Sequence, residues 1–383
     1  MRYCIRRSAN CSIQSIRYYI ASCLRTLSPV ARSSSKNALR PPLTPSLASL
    51  SRPNLERKPT VRNMVLIRHR MQQHLKLDPL PELEIDECAL CPCFPRPMSG
   101  TTIQGVGDFF DLEKLCVLGR GNHGSVYKVR HGQTLAIYAL KIIQQGSNDA
   151  YVSHETEILN CIDSPFVVKC HGIFEPRAGE KAILMEYMDA GTLDTIFRDN
   201  GPFSETSLAR IAYQVLNGLK YLHEHDIVHL DIKPSNLLVS KDMKVKIADF
   251  GVSKIVHGIG TRADTNHHNM CEGTHAYMSP ERLDSHTFGS GYVYAGDVWS
   301  LGVTLLELYV GHFPFFPADK RPSNWMELVL VVCFGEVPSF PKEASEEFRS
   351  FIKCCLEKEP SKRWTVSQLL SHPYACLGER LGK

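Results

Sequence analysis

Four polar residues stand close together near the middle of this chain. Asp231, Lys233 and Asn236 lie within the stretch His229–Asn236, and Asp249 begins an Asp-Phe-Gly turn shortly after it. An aspartate can accept a proton, a lysine can neutralise developing negative charge, and amide and carboxylate oxygens are ligands that Mg2+ takes in proteins. The stretch therefore predicts a magnesium site, formed by Asn236 and Asp249, next to a catalytic base at Asp231.

A glycine-rich segment lies more than a hundred residues before this stretch and has the pattern G-x-G-x-x-G-x-V. Its defining residues are Gly119, Gly121, Gly124 and Val126. Glycines allow the backbone to approach phosphate groups without side-chain clashes. The pattern alone also occurs in hairpin turns and dinucleotide sites, but here a predicted strand follows it rather than a helix. We therefore predict that the segment covers the phosphates of a nucleotide.

The sequence Ala139-Leu140-Lys141 places a lysine on the third predicted strand. Lys141 is expected to bind the α- and β-phosphates of the nucleotide, and such a lysine needs a carboxylate to hold it in place. Glu155, on the following predicted helix, is the first candidate for this carboxylate. Glu157, two residues further on, is the alternative.

From Asp111 onward the residue pattern is that of a folded domain. Short runs rich in β-branched and other apolar residues predict strands at Leu115–Leu118, Val126–Val129, Leu135–Leu140, Val167–Val168 and Ala182–Met185. Apolar residues at helical spacing predict helices at Ala150–Ile162, Ser204–Leu222 and Trp299–Val310. The order indicates an α+β architecture, in which a small antiparallel sheet domain precedes a larger helical domain with a cleft between them.

The order of all these motifs is similar to that of the protein kinases. After the glycine segment, Lys141 and the His-x-Asp stretch, the chain continues with Ser279-Pro280-Glu281, Asp297 and Arg363. The resemblance implies the bilobal protein kinase fold, with Asp231 as the base and Lys233 neutralising charge on the transferred phosphoryl group. It also implies a structural ion pair between Glu281 and Arg363, and a scaffolding role for His229.

A finer resemblance, over about residues 64–376, is to the mitogen-activated protein (MAP) kinase kinases of plants. The segments that carry it are Leu184–Gly191, Ile247–Lys254, Gly273–Glu281, Tyr294–Gly302, Val310–Pro314, Val332–Glu336 and Phe348–Phe351. It implies a dual-specificity kinase that uses ATP and Mg2+ to phosphorylate the threonine and tyrosine of a MAP kinase activation loop, downstream of a MAP kinase kinase kinase. The alternative interpretation is a catalytically weak kinase-fold scaffold or decoy that docks MAP kinases.

The resemblance also implies which residues surround ATP. Met185 is expected to be the gatekeeper, and Glu186 and Met188 are expected to form the hinge that binds adenine through backbone groups. The implied ATP-binding residues are Leu118, Gly119, Gly121, Gly124, Val126, Ala139, Lys141, Met185, Glu186 and Met188.

The chain departs from the family at its activation segment. Plant members carry two Ser/Thr phosphorylation sites there, but counting back from Gly273 places Asp264 and Met270 at these positions. Leu230 stands where most kinases have an arginine that binds the activation-loop phosphate. Three hypotheses follow: activity without phosphorylation, a displaced phosphorylation site at Thr261 or Thr265, or low activity.

Residues 1–63 form a basic leader with a net charge of +11, which leaves −7 for the remainder of a chain whose net charge is +4. The basic balance therefore belongs to the leader and gives no reason to expect a nucleic-acid partner. Three interpretations stay open, namely an upstream extension that precedes a native start at Met64, an organellar transit peptide, or a disordered tail.

Residues 64–107 have the proline-rich composition of a linker. Within it, a basic cluster followed by spaced leucines predicts a MAP kinase docking segment, whose residues are Arg68, Arg70, Leu75 and Leu77. The kinase domain is predicted at 108–376, with a tail at 377–383. No apolar run is long enough to span a membrane, and the 14 scattered cysteines suit reduced thiols. The expected location is the cytoplasm, with the nucleus as an alternative, or an organelle if the leader is a transit peptide.

Overall fold

The computed structural model describes residues 109–121, 124–143, 149–177, 180–256, 272–289, 292–320 and 322–382. Two groups of predicted residues lie outside these ranges. They are the docking residues Arg68, Arg70, Leu75 and Leu77 and the regulatory candidates Thr261, Asp264, Thr265 and Met270.

The amino-terminal lobe is built on a five-stranded antiparallel sheet. Its strands are β1 (Leu112–Gly121), β2 (Gly124–His131), β3 (Ile137–Ile143), β4 (Cys170–Phe174) and β5 (Lys181–Glu186), in the order β1-β2-β3-β5-β4. Helix α1 (Asp149–Cys161) connects β3 to β4, and a 3-10 turn (Phe109–Asp111) precedes β1. A small apolar core of Val129, Leu140, Ala182 and Leu184 holds the sheet together.

Two details of the sheet differ from the sequence-based predictions. Leu135 is not in β3, because it has a φ of +57° in the turn before the strand and its side chain is 64% exposed. Val167–Val168 is not a sheet strand either, since Val167 makes only an isolated parallel bridge to Ile247. Both valines are buried, so their apolar character reflects packing in the core rather than strand pairing.

The carboxy-terminal lobe is mainly helical. Its helices are α2 (Leu193–Asn200), α3 (Glu205–Glu224), α4 (Pro280–Leu283), α5 (Ser285–Phe288), α6 (Ala295–Val310), α7 (Trp325–Val329), α8 (Glu346–Cys355), α9 (Val366–Leu370) and α10 (Pro373–Gly382). A π-helical turn (Leu330–Phe334) continues α7, and 3-10 turns occur at Pro234–Asn236 and His275–Tyr277. Among the described helices, none has the length and apolar character needed to span a membrane.

Helices α3 and α6 form the centre of this lobe. The side chain of Ser204 caps α3 by accepting a hydrogen bond from the backbone N–H of Ser207, as expected for a serine at this position. Helix α6 is buried on nearly all sides, as its sequence predicts, and a Cβ on Gly302 would lie 2.6 Å from the Cβ of Cys355 in α8. Glycine is therefore needed where α6 and α8 meet.

Helix α10 packs along α3 at the end of the chain. A Cβ on Gly378 would overlap the carbonyl oxygen of Ala209, so the two helices touch through backbone atoms. The helix continues to Gly382, past the predicted domain boundary at residue 376.

Short strands frame the loops that carry the polar motifs. Strands β6 (Gly191–Thr192), β8 (Leu237–Val239) and β9 (Val245–Ile247) form one small sheet, and β7 (Ile227–Val228) pairs with β10 (Lys254–Ile255) in another. The loop His229–Asn236 runs from β7 to β8, and Asp249 lies two residues after the end of β9. Both motifs are thus attached at their ends to hydrogen-bonded strands.

Candidate active site

The described part of the glycine segment spans the end of β1 and the start of β2. A Cβ on Gly124, whose φ is +134°, would overlap the carbonyl oxygen of Ile142, so only glycine fits there. A Cβ on Gly119 or Gly121 would meet no atom within 4 Å. The backbone at Gly119 and Gly121 therefore borders open space, as a segment that covers phosphates requires.

One face of the sheet carries most of the predicted nucleotide-binding side chains. Val126 is the register partner of Lys141, and Ala139 is the partner of Met185. Because partners in register lie on one face, and because Ala139 and Lys141 are two residues apart on β3, these four side chains share a face. Gly119 of the glycine segment is the register partner of Val126, so it lies next to these side chains in the sheet.

Lys141 lies between two carboxylates. Its Nζ is 2.6 Å from Oε1 of Glu155 and 2.9 Å from Oδ1 of Asp249. Glu155 is buried on α1, whereas Glu157 is exposed on the same helix, so the first of the two candidate partners is the one that binds Lys141. Burial lowers the pKa of Lys141, but the charges of Asp249 and Glu155 outweigh it and raise the pKa overall.

Asp249 holds a negative charge at this site. Burial raises the pKa of its carboxyl group, but the charge and hydrogen bond of Lys141 outweigh this and lower the pKa to about 2. The side chain is 44% exposed, so it is accessible to a ligand from solvent. Its backbone has a φ of +66°, an uncommon conformation for a residue with a side chain and one often found in active sites.

Asp231 is the centre of the catalytic loop. Its Oδ2 accepts hydrogen bonds from Nζ of Lys233 at 2.6 Å and from Nδ2 of Asn236 at 3.0 Å. Its Oδ1 accepts the backbone N–H of Thr274 at 2.8 Å, and Lys233 also donates to Oγ1 of Thr274 at 2.6 Å. The structure therefore brings together Asp231, Lys233 and Asn236, and it joins them to a residue 43 positions further along the chain.

A buried aspartate on α6, Asp297, holds the backbone of the catalytic loop in place. Asp297 accepts the backbone N–H groups of His229, at 2.9 Å, and Leu230, at 2.8 Å. Burial raises the pKa of Asp297, but the hydrogen bond and charge of His223 and the backbone N–H of His229 lower it overall, so Asp297 stays ionised. Burial lowers the pKa of His229, whose ring nitrogen Nε2 lies 3.1 Å from the carbonyl of Ala248. A neutral His229 thus connects the catalytic loop to the backbone just before Asp249.

Glu281 and Arg363 form the predicted structural ion pair. The guanidinium of Arg363 donates to both carboxylate oxygens of Glu281, at 2.6 and 3.0 Å, and both side chains are buried. Arg363 also lies over the ring of Trp299, 5.1 Å from its centroid. This pair fixes α4 to the helical core behind the catalytic loop.

Comparison with known proteins agrees with this geometry. The model of the protein kinase domain matches residues 112–375. Mitogen-activated protein kinase kinases 7 and 9 of Arabidopsis thaliana are each 50% identical to this chain, over 81% of it and 98% of each relative. Mitogen-activated protein kinase kinase 10 of the same plant is 40% identical, over 81% of this chain and 99% of the relative. The chain belongs to the mitogen-activated protein kinase kinases. The predicted fold, ATP-dependent kinase activity and family are therefore confirmed.

Protein kinases use ATP and Mg2+, and the side-chain oxygens of Asn236 and Asp249 in this kinase suit Mg2+ as ligands. Asn236 directs its amide nitrogen to Asp231, at 2.8 Å from the backbone oxygen, which leaves its Oδ1 as an acceptor. With the ionised carboxylate of Asp249, this provides the oxygen ligands that Mg2+ prefers. Within the described parts of the chain, no group of three or more His, Cys, Asp or Glu residues could hold a metal.

The hinge of the kinase follows β5. The carboxylate of Glu186 accepts from the backbone N–H of Lys169 at 2.7 Å and from Nζ of Lys246 at 2.6 Å, so its side chain is anchored to the protein. The backbone N–H of Glu186 donates to the carbonyl of Lys169. Met188 is buried beside it, and Leu118 is exposed near the glycine turn.

Several contacts in the site have no counterpart in the sequence-based predictions. His223 lies 3.0 Å from Asp297, and Lys246 pairs with Glu186. Arg282 donates to the backbone oxygen of Leu230 at 2.8 Å. A signal for Arg282 exists in the sequence, because it directly follows the Ser-Pro-Glu motif in a chain that lacks the usual arginine at position 230.

Proposed function

We propose that this kinase transfers the γ-phosphate of ATP to the threonine and tyrosine of a MAP kinase activation loop. The observation that carries the proposal is the arrangement around Asp231, whose carboxylate, Lys233 and Thr274 are already joined by hydrogen bonds of 2.6 to 2.8 Å. The names of the relatives support a MAP kinase as the substrate, and we propose a MAP kinase kinase kinase as the upstream partner.

Each residue of the site has a definite part in this reaction. Lys141, held by Glu155, binds the α- and β-phosphates. Asp231 accepts a hydrogen bond from the substrate hydroxyl, orients it toward the γ-phosphate and takes its proton. Lys233 neutralises negative charge on the transferred group. Asn236 and Asp249 would hold Mg2+, which would supply positive charge to offset that of the phosphates.

The retained groups favour an enzyme over a scaffold. A protein that only docked MAP kinases would have no need for a buried lysine between two carboxylates or for an aspartate bonded to a lysine, an amide and a backbone N–H. Burying charges costs free energy unless they are paired, and here each partner is present.

The proposal is tested with the full chain, Mg-ATP and a catalytically inactive plant MAP kinase as substrate. Mass spectrometry is expected to find phosphate on both the threonine and the tyrosine of the activation loop. Asp231→Asn is expected to lower the rate about 100- to 10,000-fold, because it removes the base. Absence of labelling by the wild type, with upstream kinase also present, would contradict the proposal. Labelling that survives Asp231→Asn would identify a contaminating kinase.

We also propose that residues 68–77 dock the MAP kinase. The segment lies outside the described residues, and its support is the basic cluster followed by two leucines. Replacing Arg68, Arg70, Leu75 and Leu77 with alanine is expected to weaken MAP kinase binding at least about tenfold, because charge and apolar contacts are both lost. Calorimetry measures this, and phosphorylation of a short peptide substrate, which cannot use the segment, is the control. Unchanged affinity would refute docking at this segment.

The cytoplasm is the location that we propose. The cysteines of the described regions are free thiols, as is usual in a reducing compartment. Fluorescent fusions of the full chain and of a chain that begins at Met64 test this. Import of the full chain alone into an organelle would favour the transit-peptide interpretation of residues 1–63 and overturn the proposal.

A further inference from the structure

Leu230 occupies the position before the catalytic base without bringing a charge to it. The residue is 1% exposed and has a φ of +68°. Its backbone N–H donates to Asp297 and its carbonyl accepts from Arg282, so both of its polar groups are bonded. A cation is thus present at this point of the catalytic loop, but it comes from another part of the chain.

Arg282 links the catalytic loop to the end of the activation segment. It lies on α4 with its side chain buried, and its Nη1 is 2.8 Å from the carbonyl oxygen of Leu230. Its Nη2 donates to the carbonyl oxygen of Glu272. The planar guanidinium has several donors in a fixed fork, so one side chain can bind two backbone segments at once.

A second cation binds the side chain of Glu272. The carboxylate of Glu272 lies 3.4 Å from Nζ of Lys254, and both side chains are about three-quarters buried. Lys254 is on β10, where it is the register partner of Val228, the last residue before the catalytic loop. Glu272 is therefore held through its backbone by Arg282 and through its carboxylate by Lys254.

The residues after Glu272 touch the catalytic base directly. Gly273 has a φ of +106°, and a Cβ there would lie 2.7 Å from the carbonyl oxygen of Leu230 and 3.4 Å from Oδ1 of Asp231. Thr274 follows and donates its backbone N–H to that same oxygen of Asp231. Any shift of Glu272 would consequently move the hydrogen-bond partner of the base.

We propose that Arg282 and the Lys254–Glu272 ion pair are positioning residues that replace the arginine–phosphate contact which Leu230 cannot make. The carboxylate of Glu272 supplies the negative charge in place of a phosphate. Lys254 binds this carboxylate and Arg282 binds the backbone carbonyl of Glu272, and both cations come from outside the His229–Asn236 loop. The catalytic loop and Gly273–Thr274 are held together without phosphorylation. The inference rests on the proposed function for its kinetic test, and it also has a structural test that is independent of any substrate.

The kinetic test is a charge-reversal cycle in the full chain. Glu272→Lys and Lys254→Glu each place like charges at about the present 3.4 Å separation and are expected to lower kcat about 10- to 100-fold, because a small displacement at the base is costly. The KM for ATP is expected to stay unchanged, since neither residue lies among those that surround the nucleotide. The double variant restores opposite charges and is expected to recover most of the kcat.

A matched control reverses an ion pair away from the site. Glu175 and Lys181 lie 2.9 Å apart on the surface of the sheet. Glu175→Lys, Lys181→Glu and their double variant are expected to leave kcat and KM unchanged. If a charge reversal destabilised the whole protein, nucleotide binding would also weaken, in the Glu272 and Lys254 variants or in the Glu175 and Lys181 variants. The shift in Tm that Mg-ATP produces in each variant measures nucleotide binding.

Hydrogen–deuterium exchange gives the readout that needs no substrate. In the single variants, peptides that contain Thr274 and Leu230 are expected to exchange faster than in the wild type, and the double variant is expected to restore protection. If the wild type were inactive but the variants showed this pattern of exchange, the proposed function would be overturned and the positioning role would stand. Single variants with wild-type exchange and kcat, or a double variant that recovers neither, would overturn the positioning role.

Discussion

A single buried carboxylate holds Lys141 in place in this kinase. Glu155 and Glu157 are two residues apart on α1, yet only Glu155 is buried against Lys141. A helix turns about 100° per residue, so side chains two positions apart point to different sides. The carboxylate that fixes the lysine is therefore determined by the orientation of α1 against the sheet.

Substituting the two glutamates one at a time tests this directly. Glu155→Gln keeps the size of the side chain but removes the charge, and we expect kcat/KM for ATP to fall about 10- to 100-fold because Lys141 is no longer held. Glu157→Gln is the matched control on the same helix and is expected to change kcat/KM by less than about twofold. Steady-state kinetics at varied ATP concentrations measure both. Equal effects of the two substitutions would refute the assignment.

At the scale of elements, local signals placed helices well and short strands less well. The prediction that a helix follows Ser204 is confirmed, because an N-cap serine and a long apolar stripe specify it locally. The strand predicted at Val167–Val168 is wrong because two buried valines satisfy the same pattern without a strand partner. The extent of α10 past residue 376 depends on its contact with α3, which local sequence does not reveal.

The contact between α10 and α3 leads to a prediction about two glycines on one helix. Gly378→Ala places a methyl group on the carbonyl oxygen of Ala209, and we expect the free energy of unfolding to fall by about 1–3 kcal/mol from overpacking. Gly382→Ala, at the end of the same helix, meets no atom within 4 Å and is expected to cost nothing. Urea denaturation measures both. Equal stabilities would show that α10 does not pack closely on α3.

Across the whole molecule, the site is assembled from both lobes. Lys141 and Glu155 come from the amino-terminal lobe, and Asp249 follows β9 in the carboxy-terminal lobe, with Lys141 2.9 Å from Asp249. A ligand that binds at this junction interacts with the folded form only, and it therefore stabilises the molecule by mass action.

Mg-ATP is accordingly expected to raise the stability of the kinase. At about 100 times its Kd the gain is about 2.7 kcal/mol, seen as a higher Tm in differential scanning calorimetry. Asp249→Asn removes the charged metal ligand, and we expect the additional gain from Mg2+ over ATP alone to be lost. ATP without Mg2+ in both proteins is the control. A Mg2+-dependent gain of equal size in the Asp249→Asn variant would rule out Asp249 as a ligand.

The sequence specifies the chemical groups of this protein and their order, because the glycine segment, Lys141, the Asp231–Asn236 loop and Asp249 each belong to a short motif of neighbouring residues. It also determined the bilobal α+β fold, since periodicity and turn residues are local. Tertiary structure alone decided between Glu155 and Glu157, and it alone placed Arg282 on Leu230, 52 residues away in the chain. Such contacts depend on how distant elements pack and on which direction each side chain takes, and neither is encoded in a local pattern.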